Sequence, residues 1–446
     1  MSQRSAMKSF HLLPVSVAIA AALAVPAQAQ SLVALYESAR TFDAAYQSAR
    51  SQFDATLARA AQAKAAVLPT VGLSMGAAVT KLDNTLAQPP GTNYNNQSAT
   101  LSASQPLYRP ANQIAYAQGL KQIDLADAQL ATAEQDLILR VTQAYFDVLA
   151  AQDSVTFIQA QKAAVSEQLA SAKRNFEVGT TTITDSREAQ ARFDLATAQE
   201  IATENDLRVK RLALDQLAGK TDTQPHPLAL PLTLPDLIPN EVAPWVAQSE
   251  TNHPGVRQTQ VALEVAELET KKAQAGHQPT LDLTAAYNIT QNNGSATVAK
   301  DYRSNAATVG LAFNLPLFAG YAIQNRVKET LALEEKARFD LEATRRNVAQ
   351  GTRTAFFGVV SGQGQITALQ AAEASSQSAL DANKLGYQVG VRINIDVLNS
   401  QSQLFQTKRD LAKARYDVLV GGLRLRQASG TLKAEDLQGI NALLVK

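Results

Sequence analysis

The sequence predicts an α+β membrane protein in which strand hairpins meet long helical hairpins, the whole plan being written twice. Three observations lead there. The first is an internal repeat. Phe176-Glu-Val-Gly-Thr-Thr-Thr-Ile-Thr-Asp185 returns as Tyr387-Gln-Val-Gly-Val-Arg-Ile-Asn-Ile-Asp396, a shift of 387 − 176 = 211. Gln105-Pro-Leu-Tyr108 returns as Leu315-Pro-Leu-Phe318, and Gly219 and Gly430 close the two copies. A half-length repeat fixes the architecture before any element is assigned. The second is an export signal, and the third is a set of strands that alternate apolar and small or polar residues.

The signal occupies residues 1–29. Arg4 and Lys8 supply a positive start, Leu12 to Val25 an apolar stretch, and Ala27-Gln28-Ala29 a cleavage site. The apolar run falls short of the roughly 20 residues a membrane-spanning helix needs. Composition narrows the rest. Lys+Arg 41 against Asp+Glu 40 gives a net charge of +1, with no basic excess to neutralise nucleic-acid phosphates. Cysteine is absent, which removes disulfides, thiolate metal sites and cysteine nucleophiles together.

The first repeat is placed at 30–219. Residues 31–67 read as one Ala-rich helix, ended by Pro69. Val71, Leu73, Met75, Ala77 and Val79 then share one strand face, opposite Gly72, Ser74, Gly76, Ala78 and Thr80. Residues 82–96 read as a loop, and 97–107 alternate again, so the strand hairpin spans 71–107. Residues 111–219 form a helical hairpin turning at Gly179; a helix over 111–177 would run on the order of 100 Å. Seven of the sixteen prolines crowd into 220–254 with the only tryptophan, Trp245, which marks an irregular linker. The second repeat, 255–430, holds a strand hairpin at 281–318 and a helical hairpin at 320–429 turning at Gly390. Residues 431–446 form a tail expected to pack beside the linker.

Strands of roughly 9–11 residues, apolar on one face, suit a barrel wall in a bilayer. Four strands cannot close a barrel, for which about eight are needed, and open edges are not tolerated in lipid. Either the strands pair between subunits, or they do not lie in a membrane.

Little in the sequence suggests an enzyme. His226, His253 and His277 are widely spaced and show no metal-ligand pattern, and no cofactor is expected. Gly219-Lys220-Thr221 lacks the upstream glycine of a phosphate loop and reads as a helix end. The hairpin tips carry the information. Thr182-x-x-Asp185 reads equally as a capping box and as a functional carboxylate. Arg392 stands four residues before Asp396, and identical carboxylates converging about a symmetry axis would form a cation-selecting ring.

The tandem hairpins, the two Pro-Leu-aromatic motifs, Tyr387-x-Val-Gly390-x-Arg392-x-x-x-Asp396-Val-Leu and Ala414-Arg-Tyr416 together resemble the TolC-type outer-membrane efflux proteins. The resemblance implies a homotrimer whose twelve strands form one outer-membrane β-barrel, continued by a coiled-coil helical barrel in the periplasm. It implies a gate in which Tyr387 and Arg392 contact Asp185. It matches Asp396 to a first acidic ring and puts Asn399 where a second acid is expected. It puts the tips, Val178-Gly179-Thr180 and Val389-Gly390-Val391, against a periplasmic adaptor, a membrane fusion protein. The partners implied are that adaptor, an inner-membrane transporter and outer-membrane lipid, for efflux or type I secretion. The alternative reading is a coiled-coil envelope protein without a pore.

Overall fold

The computed structural model describes residues 30–82, 92–229, 231, 232, 234, 235, 237–294, 298 and 300–445. The export signal expected at 1–29, and most of the loop expected at 82–96, lie outside them. Two helices open the described chain, α1 (Leu32–Phe42) and α2 (Ala44–Ala65). The single helix expected over 31–67 is thus corrected. It breaks at Asp43, whose Oδ1 accepts from the Tyr46 N–H at 2.8 Å and caps α2. The same carboxylate takes both donors of Arg140 at 2.9 Å. A cap plus a bidentate guanidinium outweighs the small propensity gain of a continuous Ala-rich helix.

Strands β1 (Thr70–Leu82) and β2 (Thr92–Tyr108) follow, then α3 (Pro110–Glu177) and α4 (Ile183–Ala218). Proline at the first position of α3 starts a helix of 68 residues, on the order of 100 Å long. The 220–254 linker itself holds α5 (Val242–Asn252), and α6 (Pro254–Gln274) and a 3₁₀ turn at Ala275–His277 follow. The second copy continues with β3 (Thr280–Asn292), β4 (Tyr302–Asn314), α7 (Ala322–Gln388) and α8 (Asn394–Ala428), and α9 (Asp436–Asn441) ends it.

The four strands form one antiparallel sheet in the order β1-β2-β3-β4. The β2–β3 pairing joins the two repeats: Leu101 faces Tyr287 and Ala103 faces Ala285. Strands β1, β3 and β4 have 13 residues each and β2 has 17, longer than the expected 9–11. The extra length is polar. Asn93, Asn95 and Asn96 pair into the ladder, and the Asn96 amide donates to Asn292 at 2.6 Å. Amide bonding sustains strand where no apolar face does. A 13-residue strand tilted about 45° rises roughly 30 Å, the thickness of a hydrocarbon core.

The apolar sheet face is bare. Val71 is 70% exposed, Met75 75%, Val309 76% and Phe313 65%. The largest buried cluster lies elsewhere, at the middle of the helical part. There Leu35, Tyr36, Ile138, Phe146, Leu214 and Tyr416 bring together α1, α3, α4 and α8. The tail joins the linker beside that core, with Val445 N–H donating to the Pro227 carbonyl at 2.8 Å. Gly219 ends α4 in the left-handed region, as a helix end rather than a phosphate loop.

Candidate functional site

The two helical hairpins turn by one construction. After α3, the Thr180 N–H donates to the Asn175 carbonyl at 2.8 Å and the Gly179 N–H to Phe176 at 3.0 Å. After α7, Val391 N–H donates to Gly386 at 2.9 Å and Gly390 N–H to Tyr387 at 3.2 Å. This is the Schellman closure, and it requires φ near +77 at Gly179 and +79 at Gly390, where any Cβ is strained. The turns leave apolar side chains in the open: Val178, Val389 and Val391 are 72%, 64% and 75% exposed. Gly179, Thr180 and Gly390 are exposed with them.

Asp185 caps α4. Its Oδ2 accepts from the Thr181 hydroxyl, from the Thr182 hydroxyl at 2.9 Å and from the Thr182 N–H at 3.2 Å. Thr182 Oγ1 in turn accepts from the Asp185 N–H, completing the capping box. Hydrogen bonds from Thr181 first and then Thr182 hold the Asp185 carboxyl below the usual carboxylate range, against the opposing effect of burial. Both readings of Thr182-x-x-Asp185 therefore concern one carboxylate already engaged within its own turn.

Tyr387 and Arg392 take other partners inside one chain. The Tyr387 hydroxyl accepts from the Asn175 amide at 3.4 Å, and Arg392 lies 3.7 Å from the Asp396 carboxylate, one helical turn on. Among the described residues of a single chain neither bonds Asp185. The Arg392 stem also packs on Gly386, where a Cβ would come within 2.7 Å of its Cγ. Asn399 accepts from Arg192 of α4 at 2.9 Å.

Two residues of this region escaped the sequence reading. Asn394, the first residue of α8, is 1% exposed, and its amide faces the first hairpin. Its Oδ1 accepts from Gln168 of α3 and its Nδ2 donates to the Asp185 carbonyl at 3.5 Å. Arg192 is the second. A lone asparagine between Ile393 and Ile395 was the only hint in the sequence that a polar side chain is buried here. Further along, Gln161 bonds Ser402 at 3.2 Å and Tyr416 donates to Asp153 at 2.6 Å. The seam between the two hairpins is thus polar and specific, with Leu398 of α8 inserted among Val165, Leu169 and Ala172 of α3.

The model of the outer membrane efflux protein family matches this chain twice, at residues 35–220 and 245–431. The two matches start 245 − 35 = 210 residues apart, within one residue of the shift of the internal repeat. The chain belongs to that family. It is 32% identical to the outer membrane protein TolC of Vibrio cholerae, over 97% of this chain and 98% of that protein. It is 29% identical to the proteases secretion protein PrtF of Dickeya chrysanthemi, over 93% and 91%. Its fold is that of the outer membrane protein VceC of Vibrio cholerae, with a TM-score of 0.77 at 18% identity, over 90% and 96% of the two chains. Family membership places this efflux protein in the Gram-negative outer membrane and makes it a TolC-type exit duct.

Proposed function

We propose that three copies of this efflux protein assemble into one continuous channel, twelve strands forming the outer-membrane barrel and twelve long helical segments the periplasmic tunnel. The observation that carries this reading is the sheet. Its apolar face is exposed along its length, and its outer strands β1 and β4 each pair on one side only among the described residues. Unpaired edges and a bare apolar face are tolerated only if lipid covers the face and further strands cover the edges. One sheet of four strands is too small to close, whereas twelve exceed the about eight that closure needs.

The duct passes material onward and does no chemistry of its own. An inner-membrane transporter supplies the energy, and a periplasmic adaptor joins transporter to duct at the exposed tips Val178-Gly179-Thr180 and Val389-Gly390-Val391. Two relatives are named for protease secretion and one for efflux, and this duct serves one of those two kinds of export. The periplasmic end is gated by Tyr387, Arg392 and Asp185. Their mutual contact belongs to the assembled tunnel, where hairpins of neighbouring copies abut. Asp396, with Asn399 one turn along α8, lines the narrowing. Opening is a shift between two packings of the hairpins, biased by the adaptor.

Single-channel recording tests the gate. Replacing Tyr387→Phe together with Arg392→Ser should raise the conductance of the purified assembly in planar bilayers. Conductance equal to the wild type would remove these residues from the gate.

A further inference from the structure

The charge of the narrowing is not what its motif suggests. Asp396 and Asn399 are three residues apart on α8, so their side chains are neighbours on one helix face. Arg392 pairs with Asp396 from the turn, at 3.7 Å. Arg192 reaches across from the other hairpin and donates to the Asn399 side-chain oxygen Oδ1 at 2.9 Å. Among the described residues, no carboxylate stands within ion-pair distance of Arg192.

The chemistry of the holder matters here. A carboxylate at position 399 would fix the guanidinium and cancel its charge. A neutral amide fixes the guanidinium and leaves its charge in the field. We infer that Arg192 is a selectivity-determining residue of the periplasmic entrance, a positive group held by Asn399 beside the Asp396 carboxylate. Each chain then brings the unpaired Arg192 guanidinium to this level of the tunnel beside the Arg392–Asp396 ion pair. Three copies make an entrance that does not trap multivalent cations and that lets anions approach. A ring of acids alone would do the reverse. The consequence for cargo is a duct whose mouth admits acidic solutes or acidic polypeptide segments. The inference rests on the duct reading above, since a ring exists only where copies meet.

Planar-bilayer recording on the full mature chain tests it, with trivalent lanthanum as the blocking probe and the reversal potential in a potassium chloride gradient as the second readout. Arg192→Gln should shift the reversal potential toward cation preference and lower the lanthanum concentration for half block about tenfold, the range expected when one fixed charge per chain is removed near the binding point. Arg192→Lys should behave as the wild type, because it keeps the charge. Asn399→Asp should move both readouts in the same direction as Arg192→Gln. If Arg192→Gln conducts but leaves block and reversal potential unchanged, the assignment is overturned while the duct stands. If Arg192→Lys shifts as far as Arg192→Gln, the hydrogen bond rather than the charge is responsible, and the assignment again fails. A wild-type protein that forms no conducting pore would overturn the duct reading itself, and this inference with it.

Discussion

At the scale of single residues, the polar side chains between the hairpins decide how the tips are held. Asn394 is the sharpest case, because an amide 1% exposed must be bonded or it costs the fold its desolvation. It is bonded to Gln168 on one helix and to the Asp185 carbonyl on another. Asn394→Val should leave both partners unsatisfied and weaken the tip packing by about 1–3 kcal/mol. Hydrogen exchange should then accelerate in the first turns of α4 and α8, with the barrel strands unaffected. Unchanged exchange at residues 183–190 would show that Asn394 does not clasp the hairpins. The legibility of such residues follows from distance along the chain. The cap at Asp185 could be read because its partner Thr182 is three residues away. Asn394 and Arg192 could not, because their partners lie 226 and 207 residues off, on the other repeat. No local pattern encodes a bond of that span.

Between elements, the same distinction holds. Alternation along β1 to β4 was legible because a strand face is a local property, with period two. The pairing of β2 with β3 was not, since it joins two repeats whose register is set only when the sheet forms. Proline and glycine positions marked the ends of the long helices, while the break at Asp43 depended on Arg140, 97 residues downstream. In the helical part, Glu269 of α6 ties three helices together. It accepts from Lys272 at 2.6 Å, from Gln118 of α3 at 2.9 Å and from Arg326 of α7 at 2.8 Å. Burial alone would raise its pKa, but these donors win and hold it at about 2, against 4.5 for a free glutamate. A depressed folded value means stability that is present above 4.5 and lost as pH falls toward 2. The melting temperature of the wild type should therefore fall more steeply than that of Glu269→Gln between pH 4.5 and 2. Parallel curves would deny Glu269 this role.

For the whole molecule, one feature organises the rest. A sheet with a bare apolar face and two single-sided edge strands is unfinished as one chain, and so are α4 and α7, which leave Ile201, Leu212, Phe339 and Phe357 exposed. The helical middle, by contrast, carries a buried core of its own around Tyr36, Phe146 and Tyr416. In the proposed assembly, each copy folds about its middle and completes its two ends against others, the barrel in lipid and the tunnel in water. The gate, the adaptor contact and the charge of the entrance all depend on that completion. Native mass spectrometry of the mature protein released from detergent micelles tests it most directly. The expected result is a single species with three times the mass of one chain. A single chain, stable and soluble in buffer without detergent, would contradict the account.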